Sequence, residues 1–538
     1  MQQQEYRKLA AELKSNLTRL KEKRSNWESH WQEVADYMLP RKAEITKERA
    51  RGDKRSTQIY DATPIHSLEL LAASLHGMLT SSANRWFSLR FKEAVLNEDD
   101  AAREWLEDSV DKMYLAFARS NFQQEIFENY HDLICFGTAC LMIEEDEDDI
   151  VRFSARHIKE IYIEENKKGL IDNVYRKFKI TVSQAIEKFG AENVSNEINK
   201  TFKTNPYDEV EICHVVRPRF NYDSSKKDKK NMKFQSIYFE HKTDHIISIG
   251  GFNQNPYIVS RYLKSSTEIY GRSPAMNALA DTKVLNKMVE HGLKAAAKQI
   301  DPPLLIPDDS MLSPVRMSPG SLNYYRSGSR DRIEPLNIGQ NTTVTLNAEN
   351  QRREAIARMF HVDQLQVQQN RTMTATEVLQ RNEEKMRILG PVMGRIQSEL
   401  LEPMINRVFS IMLRNRLFVE APAILANQEI DIEYVSPMAL AQKGQELQNI
   451  MRGLEIFGSI SQMAPVQDYL DENGLVKQLV KTLGLPARMI KSDKEVQAIR
   501  MERQQAQQQQ LQMQQDLAES EMAKNAAPLA KEVLNGSA

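Results

Sequence analysis

The chain has 538 residues, of which 41% are hydrophobic and 27% charged, and its formal net charge is −2 at pH 7. That length carries roughly three or four domains' worth of material, and near-neutrality excludes a protein that is basic all over, so any basic surface has to be local. The three cysteines form no C-x-x-C pair, which argues against a zinc site or disulfide framework and for a reducing, cytoplasmic site of synthesis; the polar N-terminus lacks a signal-peptide pattern, and no apolar run is long enough to span a membrane.

The first forty residues read as helix. "SNWESHWQEVADYMLP" puts Trp27, Trp31, Val34, Tyr37 and Met38 on one face, and Pro40 ends it. "RKAEITKERARGDKRST" (41–57) is a basic, charge-rich connector, read as a solvated loop sooner than a DNA contact. A helix follows with Thr63 suited to the N-cap and Pro64 to the first turn, and a stripe of Leu68, Leu71, Leu75, Met78 and Leu79. "RWFSLRF" alternates like a strand. Helix resumes from about residue 98 to 135 with Trp105, Met113, Phe117, Phe122, Ile126 and Tyr130.

Residues 136–275 change to paired strands with charged turns, a mixed α+β region. A helix over 275–300 leads into 301–335, whose six prolines forbid helix and predict a small irregular or β module. "LNAENQRREAIARMFHVD" returns to helix. The octet "RTMTATEV" (371–378) has Thr374 and Glu377 at capping-box spacing, a firm start for a long helical pattern to about 415, interrupted at Pro391 and Pro403. The stretch 436–490 is helical with Gly breaks, and the Gln-rich tail is either a helix in an oligomeric bundle or disordered. The chain shows no internal repeat.

No Gly-Lys of a P-loop, no H-E-x-x-H and no G-x-S-x-G occurs. No catalytic constellation and no cofactor site is expected. His241 and His245 flank a turn and read as surface histidines. The acidic run Glu144–Asp149 suits a charged hairpin turn better than an oxygen cage for a divalent ion.

Two constellations carry more. Lys283, Lys287, Lys294 and Lys298, with His291 between them, lie along one helix face, a solvated face or a row of charges facing a polyanion. Leu285, Val289, Leu293 and Ala296 fall on another face, against a neighbour. The order helix, Pro-rich module, helix suggests an antiparallel pair with a knob at its far end.

These residues resemble the head-to-tail connector, or portal, proteins of short-tailed bacteriophages. The likeness rests on "PIHSLELLAASLHGMLTSSANRWF" (64–87), "YGRSPAMNALADTKVLNKM" (270–288), "DPPLLIP" (301–307), "TATEV" (374–378) and "SPMALAQK" (436–443), in family order across most of the chain. The resemblance implies a predominantly helical α+β portal fold of wing, stem, clip and crown, assembled as a dodecameric ring with a central channel. On this chain the wing would be 1–275, the stem helices 276–300 and 344–362, the clip 301–343 and the channel loop 363–373. The segment 374–435 would be the long kinked helix returning to the wing, 436–490 the crown and 491–538 the C-terminal helix or tail.

The implied role is packaging and ejection of double-stranded DNA at one capsid vertex of the virion, with no base reading. Implied partners are terminase, which supplies the ATPase this chain lacks, the major capsid and scaffolding proteins, and a tail adaptor; no membrane is involved. Lys283, Lys287, Lys294, Lys298, Gln366, Gln368, Gln369, Asn370 and Arg371 are the candidate DNA contacts, while Thr374 and Glu377 anchor the long helix. Competing readings are a head-tail adaptor or scaffold that oligomerises through its tail, and a Mg²⁺-dependent DNA-processing enzyme using the acidic run.

Overall fold

The helix expected over the first forty residues is α1 (Gln2–Met38), and Pro40 opens the 3₁₀ turn that follows it. The computed structural model describes residues 2–50, 52–56, 58–93, 96, 99–223, 226, 228–305, 334–335, 342–365, 388–422, 430–434, 450–453, 456, 474, 496–513, 515 and 517. After α1 come α2 (Thr63–Leu79), β1 (Phe87–Phe91), α3 (Asp100–Arg119) and α4 (Phe122–Phe136). The mixed region holds β2 (Thr138–Asp146), β3 (Ile150–Arg156), β4 (Ile161–Glu165), β5 (Ile171–Thr181), α5 (Val182–Phe189) and α6 (Asn196–Thr204). It continues with β6 (Glu209–Pro218), β7 (Phe234–Glu240), β8 (Ile246–Phe252) and β9 (Tyr257–Arg261). Then follow α7 (Pro274–Ile300), β10 (Leu304–Leu305), β11 (Glu334–Pro335), α8 (Thr342–Met359), the short α9 (Val362–Leu365), α10 (388–396), α11 (Glu402–Arg414) and β12 (Ile430–Tyr434).

The chain divides into two compact units. The first comprises Met1–Phe87, Lys112–Leu417 and Tyr434–Met438. It holds an antiparallel meander ordered β4-β5-β6-β7-β8 and a three-stranded sheet ordered β3-β2-β9. The meander's two faces follow from the period of two along its strands. Tyr175, Cys213, Val215, Ile237 and Phe239 meet Ala10, Leu13, Leu17 and Leu20 of α1, whose spacing repeats every three or four residues. Phe178, Ile212 and Ile247 point the other way, with Ala185 of α5. The second unit comprises Ser88–Asp111, Phe418–Glu433 and Ala439–Ala538. In it the Trp105 indole N–H donates to the Val419 carbonyl at 2.9 Å. From 496 to 513 the Gln-rich tail is helical with almost every side chain exposed.

Several local expectations move by a turn or less. α2 begins at Thr63 with Ala62 in the N-cap place, because Asp61 takes over the capping work: its Oδ1 accepts the Thr63 N–H at 2.9 Å. The helix expected over 98–135 is two helices. Asn121 breaks it by turning its amide onto β3, donating to the Phe153 carbonyl at 2.9 Å and accepting the Phe153 N–H at 3.0 Å. The basic connector is fastened down along α1 rather than left free. Gln32 Oε1 accepts the Ile45 and Thr46 N–H groups at 2.8 and 2.9 Å, and Asp36 pairs with Lys47 and Arg49. The chain is helical through Pro391, and the irregularity falls at the π turn Gln397–Leu401. Pro403, without an N–H, frees the carbonyl of Glu399 and lets that turn widen.

Glu144–Asp149 closes the β2–β3 hairpin, with Asp146 paired to Ile150 in the ladder. His241 and His245 flank the β7–β8 turn. Cys135, Cys140 and Cys213 are all buried and unbridged, and burial pushes the Cys140 and Cys213 thiols up to about 12, so neither is a thiolate near neutrality.

Burial also depresses several histidines. His214 lies wholly inside, its Nδ1 2.7 Å from the Tyr257 hydroxyl and its Nε2 2.9 Å from Ser236 Oγ, stacked on the Tyr238 ring. Burial first, then Arg176, holds its pKa well below 6.5. His157 Nδ1 accepts the Lys159 N–H at 3.0 Å, a bond that protonation destroys, and burial lowers its pKa too. A depressed histidine binds fewer protons folded than unfolded, so its stabilisation is complete above the unfolded value of about 6.5 and is lost as pH falls through the folded value. We therefore expect urea midpoints to fall between about pH 6.5 and 5, with His214→Asn flattening the slope. Flat wild-type midpoints across that window would contradict this.

Candidate nucleic-acid interface

The lysine stripe sits on α7, and the structure shows why that helix starts where it does. Ser273 is its N-cap: Oγ accepts the Met276 N–H at 3.0 Å and donates to the Cys135 carbonyl at 2.9 Å, and Pro274 follows. The first half of α7 is buried at Ala275, Met276, Ala278, Leu279, Thr282, Leu285 and Asn286. Asn286 is fully engaged, its Oδ1 accepting the Tyr60 N–H and its Nδ2 donating to the Gln58 carbonyl, both at 2.7 Å. The second half emerges: Leu293 is 57% and Ile300 86% exposed. Of the apolar face expected to pack, Leu285 is buried, Val289 half-buried, and Leu293 and Ala296 are uncovered in the single chain.

α8 runs back along α7. Asp281 pairs with Arg352 at 2.7 Å, and further along α7 Gly292 faces the Glu349 side chain, so the order reverses as an antiparallel pair requires. Arg353 extends the contact to the start of α2, reaching Asp61 Oδ2 at 2.9 Å. Burial would raise the Asp61 carboxyl, but hydrogen bonds from Thr63 and Arg353 outweigh it and hold it below the usual range. At the far end β10 and β11 pair antiparallel, Leu304 with Pro335 and Leu305 with Glu334, so the Pro-rich segment leaves and returns at one place.

Three of the four stripe lysines have acidic partners within the chain. Lys283 bonds Glu33 of α1. Lys287 and Lys294 share Glu290, at 2.7 and 2.6 Å, and their hydrogen bonds bring that carboxyl down to about 2. Lys298 has no ion pair among the described residues. The lysine ends of these pairs are solvent-exposed, and screening by water keeps each pair weak. The sequence signal for this neutralisation was present in Glu290, three and four residues from two of the lysines.

Gln366, Gln368, Gln369, Asn370, Arg371, Thr374 and Glu377 lie outside the described residues, as does almost all of 436–490. Of the expected loop 363–373, residues 363–365 form the end of α9, entered through His361 with φ of 58°.

Two buried arginines were invisible in the sequence. Arg24, 1% exposed, donates to the carbonyls of Ile158, Lys159 and Ile161 and lies over the Tyr162 ring at 3.6 Å. Arg261, 2% exposed, ends β9 and is held by Glu399 of the π turn and by Glu165.

Residues 10–490 match the family described as bacteriophage head to tail connecting protein. The chain is similar to the portal protein of Salmonella phage epsilon15, 31% identical over 523 residues that make up 95% of this chain and 94% of that one. It is also similar to a protein of Bordetella phage BPP-1 named as a probable portal protein, at 31% over 94% of this chain and 93% of the other. With the portal protein of Enterobacteria phage T3 the identity is 21%, over 91% and 90%.

Proposed function

Because the chain belongs to the bacteriophage head to tail connecting proteins and does the work of a portal, we propose that it forms a closed ring at one capsid vertex through which double-stranded DNA enters and leaves. The observation that carries this reading is the α7–α8 pair: rooted at one end, uncovered at the other, and closed by the β10–β11 pairing. A helix that exposes Leu293 and Ile300, beside a partner exposing Leu346, has apolar surface for the same helices of neighbouring copies. The wing is then 1–275, the stem 276–300 and 344–362, the clip 301–343, the channel loop 363–373, the returning helix 374–435, the crown 436–490 and the tail 491–538. Terminase, the capsid and scaffolding proteins and a tail adaptor are the partners of this reading.

A conduit has to hold DNA without gripping it. Each phosphate neutralised adds affinity that depends steeply on salt. Lysines already tied to Glu33 and Glu290 give a bore of low net charge, and a ring repeats that arrangement in every copy. The helical tail, exposed nearly all round, supports packing against other copies, because helices in proteins draw most of their stability from packing against other elements.

Negative-stain electron microscopy of the purified chain tests the proposal: a closed ring with an open channel is expected, and open or single-copy particles at all concentrations would refute it. Lys→Ala at 283, 287, 294 and 298 together is expected to leave the ring intact while changing DNA packaging or retention. Collapse of the ring would assign those lysines to structure instead.

A further inference from the structure

Basic residues are spread along the chain, yet most basic runs are neutralised at home. In the 41–57 connector Arg41, Lys42, Lys47, Arg49 and Arg55 all have carboxylate partners, and so do three lysines of α7. The β6–β7 hairpin loop is different. Lys229, Lys230 and Lys233 are exposed and have no ion pair among the described residues, whereas Lys226 lies 3.7 Å from Asp223.

The 229–233 side of this loop is held in place. Arg219 donates to the carbonyls of Lys229, Lys230, Met232 and Gly250, and its own N–H donates to the Lys233 carbonyl at 2.9 Å. The loop also presses on β8: a Cβ added to Gly251 would lie 2.3 Å from the Lys229 carbonyl oxygen. An arginine spent on main-chain carbonyls presents the lysines from a fixed backbone, and a preorganised loop loses less entropy on docking. Phe220, 94% exposed, stands at the same end of the hairpin and offers an apolar anchor beside the charges.

We propose that this basic loop docks on the acidic β2–β3 hairpin of a second copy of the chain, as part of the contact between neighbours in the ring. A ring is built from heterologous contacts, so each copy needs two different and complementary surfaces. The β2–β3 tip supplies the complement. Glu147, Asp148 and Asp149 have no ion pair among the described residues, whereas the acids nearer its base are tied to Arg152, Arg156 and Arg414. The two tips belong to different sheets of the same unit, so one copy can offer both at once. Charge matching of this kind fixes partner and register. The inference rests on the ring proposed above.

The test uses full-length chain and two variants, Lys229→Glu with Lys230→Glu and Lys233→Glu, and Glu147→Lys with Asp148→Lys and Asp149→Lys. The assembled fraction is read by size-exclusion chromatography and electron microscopy near physiological salt. Each variant alone brings like charges together and is expected to lose about tenfold or more of its ring population. An equimolar mixture is expected to recover it, because one variant then carries two acidic tips and the other two basic ones, and alternating copies match. A milder Lys→Gln set at the three lysines is expected to show a smaller loss with unchanged thermal unfolding. Variants that assemble as well as wild type overturn the proposal, as do folded variants whose mixture stays unassembled. A wild-type chain that forms no ring overturns the portal reading itself.

Discussion

Gly137→Ala is expected to leave little folded protein. Gly137 ends α4 in the left-handed region at φ 71°, its N–H donating to the Leu133 carbonyl at 3.0 Å and its carbonyl accepting the Tyr262 N–H at 2.9 Å. An alanine there loses roughly 1 kcal/mol to backbone conformation alone. The larger effect is steric: the new Cβ would lie 2.2 Å from the Gly271 carbonyl oxygen and 2.7 Å from its carbon. Main chain cannot swing aside as a lysine tip can, so two segments have to separate. Gly271 is itself pinned, its N–H donating to Thr138 Oγ1 at 2.8 Å, and two residues on Ser273 caps α7. A shift there disturbs the root of the helix proposed as stem. We expect a loss of about 4 kcal/mol or more, enough to unfold a marginally stable unit. The control is Gly77→Ala in α2, where an added Cβ meets nothing within 4 Å and helix propensity predicts a gain of up to about 1 kcal/mol. Urea midpoints of the two variants should move in opposite directions; equal shifts would sink the argument.

Arg261→Met is expected to give the second large loss. The guanidinium makes bonds of 2.7 and 3.1 Å to Glu399, bonds Glu165, and donates to the carbonyls of Gly169 and Ile269 at 3.1 and 3.3 Å. It thereby ties β9, the end of β4, the turn before β5 and the π turn into one junction. Methionine fills much of the volume but leaves two carboxylates and two carbonyls without their donor. Breaking a buried pair from one side costs about 3–5 kcal/mol. The lower end applies here, because Arg395 still reaches Glu399 at 3.0 Å and Lys264 still pairs with Glu165. Glu399→Gln in the same chain should recover part of the loss, and Arg261→Lys should not rescue, since an ammonium cannot reproduce the planar fork. A double-mutant cycle by thermal unfolding reads the coupling; a loss below about 1 kcal/mol for Arg261→Met would refute the junction.

The elements that were legible share one physical basis. Short-range periodicity and punctuation are written in the residues themselves. The α1 stripe ends at Pro40, α7 begins at Ser273–Pro274, the acidic run closes a hairpin, and prolines interrupt helix after residue 300. The family likeness was legible for the same reason, since it rests on runs such as 270–288 that keep their order. Misplacements occur where a side chain answers to a distant partner. Asn121 divides a helix because its amide fits the Phe153 backbone, and Asp61 displaces the expected cap because Arg353 shares it.

Composition and spacing by themselves determined a chain of near-zero net charge with a mixed α+β region and a lysine-lined helix running into a Pro-rich stretch, while the resemblance of runs such as 270–288 pointed to the portal family. Only the tertiary structure decided which charges are spent. It tied Lys283 to Glu33, buried Arg24 and Arg261 against carbonyls and carboxylates far off in sequence, and left Lys229, Lys230 and Lys233 outside any ion pair among the described residues. The reason is range. Helix and strand periods are set by neighbours within a few residues, whereas a charge's effective strength depends on the dielectric and the partners that folding brings within about 4 Å.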